Sequence, residues 1–211
     1  MLLVKPSAEI LHITTEPLRL IEDAGRTCYK SKDKIGPGTD ETFTAMIIKR
    51  GHDSVVEHAS ATVRFICDRG VSHEIVRHRL ASYSQESTRY CNYRGGVAFI
   101  IPPWVNIQPG EYLGMDLIDV PDGPDLGWAL AMDSAEKTYQ GLLKRGWKPE
   151  QARSVLPNSL NTEIVMTANL REWRHFFRLR TAPTAHPQMA EVATPLLDQF
   201  RSRIPVLFED L

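Results

Sequence analysis

The stretch from Arg77 to Tyr90, R-H-R-L-A-S-Y-S-Q-E-S-T-R-Y, holds three arginines, a histidine and four serine or threonine hydroxyls, with Glu86 as its one acid. The whole chain has a formal net charge of −1, so this concentration of cations is local. Arginine presents a planar fork of donors that matches phosphate oxygens two at a time. The stretch therefore predicts a site for a phosphate and the polar molecule attached to it. The alternative is a basic surface loop whose arginines pair with acids elsewhere.

Length and composition place this stretch in an ordinary folded protein. The chain has 211 residues, 42% of them hydrophobic and 24% charged, and we expect a single domain over residues 1–211. Near-neutral charge argues against generic affinity for nucleic acid or anionic membranes. We expect neither a transmembrane helix nor a signal peptide. Three cysteines, Cys28, Cys67 and Cys91, form no C-x-x-C pair, which excludes the usual zinc spacings and favours a reducing, cytoplasmic compartment.

Upstream of Arg77, the hydrophobic pattern predicts two helices between two strands. Short apolar runs in residues 1–13 predict an edge strand, and Glu16–Tyr29 has the spacing of a helix. We expect Asp40 to cap a second helix that ends at Gly51. Residues 59–67 alternate as in a half-buried strand.

The element that leads into the arginine-rich stretch is predicted to be a helix. Ser72 can cap it, and it would deliver Arg77 and Arg79 at its C-terminal end, where the helix dipole favours cations. The segment Ala81–Thr88 is rich in hydroxyls and predicts a loop that aims its donors at a ligand.

Downstream, the same patterns predict a strand, a long helix and a second group of elements. First come a strand at Val97–Ile101, a connection at Asn106–Pro124, the longest helix at Asp125–Arg145 and a short helix from Pro149. Thr162–Thr167 is predicted to be a strand, although a helix stays open there, and Asn169 with Glu172 caps the helix that follows. The last helix begins at Pro187, and Pro195 kinks or restarts it. Helices mixed with few strands, without a regular strand–helix rhythm, predict an α+β domain.

Unusual polar groups concentrate in four places: His52–His58, Arg77–Tyr90, Arg153 and Asn169–His186. None of them contains a G-x-S-x-G elbow, a P-loop or an H-E-x-x-H motif. The arginines of the last place also fit a helix with a solvated basic face. Two arginine clusters in a chain of near-zero net charge nevertheless favour a polyanionic ligand such as a nucleotide or a dinucleotide cofactor.

Arg77-His78-Arg79, followed by seven residues and Ser87, resembles the R-H-R-x7-S signature of the flavin-dependent thymidylate synthases. Further positions match in the family's order: Gly51-His52, Glu57-His58, Ala81-Ser82-Tyr83, Arg89-Tyr90, Ala152-Arg153, Val155-Leu156-Pro157, Asn169, Leu179-Arg180 and His186. The chain departs from the pattern at Glu74, where many members have glutamine, and at Gln85, where several have an acid.

The resemblance implies a fold and a reaction. It implies a mixed α/β subunit, which we expect as a small, mostly antiparallel sheet flanked by helices. The implied reaction is the reductive methylation of dUMP to dTMP, with methylenetetrahydrofolate as carbon donor and NADPH as reductant through FAD. The resemblance also implies a homotetramer with active sites where subunits meet. From the charge and the ligand spacing we expect no nucleic acid or membrane partner and no metal.

Roles carry over residue by residue as implications of the same resemblance. The positions similar to dUMP-binding residues are Glu74, Arg77, Gln85, Ser87, Arg89, Arg153 and Arg180. The positions similar to FAD-binding residues are Ser54, Glu57, Arg77, His78, Arg79, Asn169, Arg171, His175 and His186. The expected catalytic residues are Ser87, Arg180 and His52. We assign Ser87 to ligand binding and activation rather than to nucleophilic attack, because no Ser-His-acid order accompanies it.

Two rival hypotheses use the same residues differently. A non-enzymatic nucleotide- or RNA-binding module would bind with a steep salt dependence and oxidise no NADPH. A metal-dependent hydrolase built on His52, His58 and His78 would lose activity with a chelator, although the spacing of these ligands is poor.

Overall fold

The backbone of the computed structural model, which describes residues 1–114 and 116–211, packs as two compact units. Unit 1 comprises Met1–Ser7, Ile66–Ile75 and Ser84–Ile164, and unit 2 comprises Ala8–Phe65, Val76–Tyr83 and Val165–Leu211. The single domain expected over residues 1–211 stays a prediction. Within the described ranges, no helix is both long enough and apolar enough to cross a membrane.

Seven strands and eight α-helices make up the described chain. The strands are β1 (Leu2–Val4), β2 (Ser7–Ile13), β3 (Ser60–Asp68), β4 (Ala81–Gln85), β5 (Ala98–Ile100), β6 (Gly110–Glu111) and β7 (Asn161–Asn169). The helices are α1 (Pro17–Cys28), α2 (Thr39–Arg50), α3 (Arg69–Ile75), α4 (Pro124–Lys144), α5 (Pro149–Ala152), α6 (Leu170–Arg180), α7 (Pro187–Arg203) and α8 (Pro205–Phe208). Short 3-10 helices lie at Lys32–Lys34, Asp53–His58, Asp116–Asp119 and Arg153–Val155.

The strands form two sheets, one of four strands in the order β2-β3-β7-β4 and one of three in the order β5-β1-β6. In the smaller sheet β1 runs parallel to β5, with Leu2 opposite Ala98, and antiparallel to β6. In β3, Ala61, Val63 and Phe65 are completely buried, as the predicted alternation requires. The expected α+β class is therefore confirmed.

Unit 1 has an aliphatic core between its sheet and α4. Leu3 and Phe99 of the sheet are completely buried, and Met132 and Tyr139 of α4 belong to the same cluster. This packing explains why α4 is the longest helix, since its apolar positions recur over its whole length.

Unit 2 has an aromatic core built around α6. Trp173 lies with its ring centroid 5.3 Å from those of Phe176 and Phe200, and Phe177 contacts Phe208 at 5.8 Å. The indole N–H of Trp173 donates to the carbonyl of Ala61 at 3.1 Å, which ties α6 to β3. One side of α6 is thus fixed in the core, so the basic residues on its other side project from a rigidly packed helix.

Several predicted boundaries hold and others are wrong near the arginine-rich stretch. The predicted α1, α4, β3 and β5 are confirmed, and the open choice at β7 resolves as a strand. Ser72 does not cap α3: it lies inside the helix, and the carboxylate of Asp68 accepts from the amide of Val71 at 2.8 Å instead. The helix ends at Ile75, so Arg77 and Arg79 lie beyond it. The segment predicted as a loop begins with β4, because its alternating polar residues still pair in a sheet.

Three further regions depart from the prediction in part. The cap of α2 is Gly38 at φ 72°, and Asp40 lies inside the first turn. The N-terminal region gives two strands: β2 is an edge strand of the larger sheet, as predicted, and β1 is central in the smaller sheet. α7 continues through Pro195, and α8 follows it.

Candidate active site

In unit 1, two hydroxyls hold the side-chain amide of Gln85 in one orientation. Its Nε2 lies 2.9 Å from Ser72 Oγ and 3.2 Å from Thr162 Oγ1. Ser72 Oγ donates to the carbonyl of Arg69 at 2.9 Å, so its lone pairs accept from Gln85. Arg69 Nη1 also donates to Thr162 Oγ1 at 3.3 Å. The side-chain amide of Gln85, a predicted dUMP position, is therefore oriented by its hydrogen bonds to Ser72 and Thr162.

The turn after β4 carries two predicted dUMP positions, Ser87 and Arg89, and a hydrogen bond brings a third, Arg153, to it. Arg153 Nη1 donates to Thr88 Oγ1 at 2.8 Å, which brings Arg153 beside Ser87 and Arg89. Ser87 Oγ accepts from the amide of Arg89 at 3.3 Å. Arg89 and Arg153 are both exposed. The arrangement offers guanidinium and hydroxyl donors within one short turn, which suits a phosphate.

The acid inside the arginine-rich stretch has a partner of its own. Tyr93 Oη donates to Glu86 Oε1 at 2.7 Å. Burial first, and then the hydrogen bond to Glu86, raise the pKa of Tyr93 well above its usual range, so the phenol stays a donor. Glu86 is thereby turned toward Tyr93. Glu74, the acid at the position where many family members have glutamine, lies half-buried on α3.

In unit 2, a cavity of about 370 Å³ lies along the exposed side of α6. Four predicted FAD positions line it: Glu57, Asn169, Arg171 and His175. The other lining residues are Asp53, Leu80, Glu172, Arg174 and Arg178. Asn169 caps α6 as predicted, because its Oδ1 accepts from the amide of Glu172 at 2.8 Å. The side chains of Arg171 and Arg178 are about half exposed, and Arg171 forms an ion pair with Glu57.

His78 is buried in the same unit and uses both ring nitrogens. Its Nδ1 lies 2.9 Å from Glu172 Oε1, and its Nε2 accepts from Arg180 Nε at 3.1 Å. Burial lowers the pKa of His78 below its ordinary 6.5; Arg180 and His175 lower it further, and the bond to Glu172 acts against them. The structure therefore joins a predicted FAD position, His78, to a predicted dUMP and catalytic position, Arg180.

Other predicted positions of unit 2 lie elsewhere. His52 and Ser54 line a different recess, of about 260 Å³, together with Cys28 and Tyr29. Arg77 and Arg79 are exposed on the segment between α3 and β4. His186 is exposed where α7 begins.

One group of described side chains has the spacing of metal ligands. The ligand atoms of His78, Glu172 and His175 lie within 4.8 Å of one another. Both nitrogens of His78 are already hydrogen-bonded, and Arg180 and Arg174 place positive charge nearby. These features favour a hydrogen-bonded cluster over a cation site. The expectation of no metal stays a prediction.

Sequence reasoning missed the residues that orient the predicted ones. The sequence predicts a helix cap for Ser72 and a capping partner of Asn169 in Glu172, and it assigns no role to Arg69. Glu172 lies 94 residues from His78 along the chain, so local spacing carries no signal of their contact. The polar character of Thr162 on an alternating strand was the only sign of its role.

Comparisons with known proteins agree on one family. The family model described as "Thymidylate synthase complementing protein" matches residues 9–206. A "Flavin-dependent thymidylate synthase" of Corynebacterium aurimucosum is 34% identical over 203 residues, covering 93% of this chain and 80% of the relative. The protein of the same name from Geobacter sulfurreducens is 33% identical over 209 residues, covering 95% of this chain and 84% of the relative.

A solved structure shares the fold over almost the whole chain. It is the UMP/dUMP methylase PolB from Streptomyces cacaoi bound with 5-Br dUMP, with a TM-score of 0.80 and 26% sequence identity. The alignment covers 99% of this chain and 96% of that chain.

Proposed function

The chain belongs to the flavin-dependent thymidylate synthase family, and on that premise we propose which of its residues bind and activate dUMP. The enzyme methylates dUMP to dTMP, with methylenetetrahydrofolate as carbon donor and NADPH as reductant. FAD, when bound, supplies the hydride transfer. Membership sets aside the non-enzymatic module. The observation that carries the residue assignments is the contact of Arg153 with Thr88, because it brings a second guanidinium to the turn of Ser87 and Arg89.

The phosphate of dUMP is bound by unit 1. Arg89 and Arg153 are exposed and can each present two N–H donors to phosphate oxygens. Ser87 adds a hydroxyl, and Gln85 adds an amide whose orientation is preset by Ser72. Preset donors and acceptors lose little entropy on binding, which favours affinity. Ser87 thus binds the substrate, and among the described residues its hydroxyl bonds to the amide of Arg89 rather than to a general base.

Arg180 activates the pyrimidine. Negative charge develops on a carbonyl oxygen of the uracil ring as its C5 becomes nucleophilic, and a guanidinium placed there stabilises that charge. Arg180 ends α6, where the helix dipole also favours a cation. Its Nε is held by His78, and the terminal nitrogens of a guanidinium carry the other donors. His52 stays a predicted catalytic position.

The cavity of unit 2 fits part of FAD. Its lining combines the guanidinium groups of Arg171 and Arg178 with the amide of Asn169 and the imidazole of His175. Such donors suit a diphosphate and the polar edge of a flavin. A cavity of about 370 Å³ holds part of a dinucleotide, which agrees with a site completed by another subunit.

A homotetramer with active sites at subunit interfaces completes the proposal. Leu80 and Tyr90, which flank the segment from β4 to Arg89, are 72% and 79% exposed. Large exposed apolar side chains beside a ligand site suit a subunit interface. Light scattering should give about four times the mass of the 23.9 kDa chain. A monomer that turns over dUMP would contradict this part alone. The cytoplasmic location stays a prediction from the three free cysteines.

The test of the function uses the purified full chain. We expect flavin absorbance, bleaching by NADPH that dUMP accelerates, and dTMP by mass spectrometry once methylenetetrahydrofolate is added. A protein that cannot be reconstituted with FAD, or that bleaches without forming dTMP, would refute the proposed function.

A further inference from the structure

The hydrogen bonds of His78 fix the position of its ring proton. Arg180 Nε carries a hydrogen and has no lone pair, so the His78 nitrogen that faces it at 3.1 Å must accept. The proton therefore lies on Nδ1, from which it is donated to Glu172 Oε1 at 2.9 Å. The three side chains form one directed chain of hydrogen bonds, from Arg180 through His78 to Glu172.

This chain is rigid at its histidine. The ring of His78 lies 4.9 Å from that of Phe176, which belongs to the completely buried aromatic core. Tyr83 Oη donates to the carbonyl of His78 at 2.5 Å and fixes the backbone as well. Glu172 is 7% exposed, and its backbone amide is held by Asn169. The bond to Arg180 thus connects a half-buried guanidinium to the core of unit 2.

Titratable and charged groups around the ring come from two elements. From α6 they are Glu172, His175 and Arg180, and from β4 the phenol of Tyr83. Burial raises the pKa of Tyr83 to about 12, so it stays a donor at neutral pH. Glu172 is the acid among them, and it fixes the tautomer that Arg180 needs.

We propose that His78 and Glu172 are positioning residues, which hold the guanidinium of Arg180 in the orientation that activates dUMP. The inference rests on the proposed function of Arg180. If the His78 ring gained a second proton or the other tautomer, Nε2–H would face Arg180 Nε–H and the bond would be lost. Orientation errors of about 1 Å at a catalytic group lower rates by about 100-fold. Neither His78 nor Glu172 needs to touch the pyrimidine.

A double-mutant cycle on the full-length, FAD-loaded enzyme tests this inference. We compare wild type, Glu172→Gln, Arg180→Ala and the double variant, and measure kcat, the KM for methylenetetrahydrofolate and dUMP affinity by calorimetry. Glu172→Gln should lower kcat about 10- to 100-fold with little change in that KM. In the Arg180→Ala background the same change should cost less than about 2-fold, because its effect passes through Arg180. Effects that multiply would overturn the proposal.

Two further measurements keep the outcome decisive. Glu9→Gln removes an exposed ion pair with Arg64 in the same unit and should leave kcat unchanged. If Glu172→Gln does not fold or hold FAD, nitrogen NMR of wild-type His78 decides: a proton on Nδ1 supports the proposal, and one on Nε2 overturns it. A wild type that forms no dTMP refutes the proposed function, whereas full activity of Glu172→Gln refutes the positioning role alone.

Discussion

Replacing Asp210 with asparagine should destabilise the fold through the buried arginine that it neutralises. Arg174 on α6 is 2% exposed, and its guanidinium donates to both carboxylate oxygens of Asp210, at 2.7 and 2.6 Å. It also donates to the carbonyl of Leu207, while its Nε has no partner among the described residues. Asp210→Asn leaves a buried cation with one neutral acceptor and an amide.

The solvent exposure of Asp210 determines how much stability the Asp210→Asn substitution removes. Breaking a fully buried pair costs about 3–5 kcal/mol, because it leaves an uncompensated charge. Asp210 is 48% exposed, so water screens the interaction on its side and lowers this figure. We expect a loss of about 1–3 kcal/mol in the free energy of unfolding at pH 7. The matched control is Asp198→Asn, whose pair with Arg201 is exposed and should cost less than about 0.5 kcal/mol.

The assay is urea unfolding followed by circular dichroism at one protein concentration, repeated from pH 7 downward. The bond from Arg174 lowers the pKa of Asp210 below its ordinary value of 3.8. The carboxylate therefore stabilises the fold above pH 3.8, and this stabilisation disappears as the pH falls through the folded pKa. The gap between wild type and Asp210→Asn should close over the same interval. A gap below 0.5 kcal/mol at pH 7, or one that persists in acid, would show that charge neutralisation is not its source.

The remaining predictions concern the site. Arg153→Ala should weaken dUMP binding about 10- to 100-fold, the value of one charge-assisted contact, with flavin absorbance unchanged; unaltered dUMP affinity by calorimetry would remove Arg153 from the site. Ser87→Ala should lower kcat by less than about 100-fold, because the hydroxyl binds rather than attacks, and a loss to the uncatalysed rate would contradict that role. The rate of dTMP formation should fall as the pH drops below the folded pKa of His78, which lies under 6.5, because the protonated ring no longer accepts from Arg180. A rate that stays constant until unfolding would argue against this.

Regular elements could be predicted from the sequence where one periodicity runs undisturbed. The alternation of β3 and the helical spacing of α4 are both borne out, because each buries one continuous apolar face. β4 was missed because its serines and tyrosine resemble a loop, although the strand pairs with β7. Its hydrogen bonds come from backbone groups, whose partners no local pattern reveals.

The candidate site divides in the same way. Motif spacing predicts Arg77, Ser87 and Arg153 as binding positions, because their order along the chain is itself the signal. Glu172 and Thr162 escaped prediction, since their roles depend on partners distant in sequence, His78 and Gln85. Long-range hydrogen bonds are a property of the folded chain, and no single segment contains both ends of one.

The eleven residues of α6 serve two demands at once. Trp173 and Phe176 belong to the aromatic core, and Arg171 and His175 line the cavity on the other side of the helix. Few positions of α6 can therefore be substituted without affecting either the core or the cavity. A library of random variants should therefore show α6 as the least substitutable helix of the chain. Tolerated substitutions in α6 should occur in combination rather than singly, because a shift of the helix that repacks Trp173 and Phe176 also reorients Arg171 and His175.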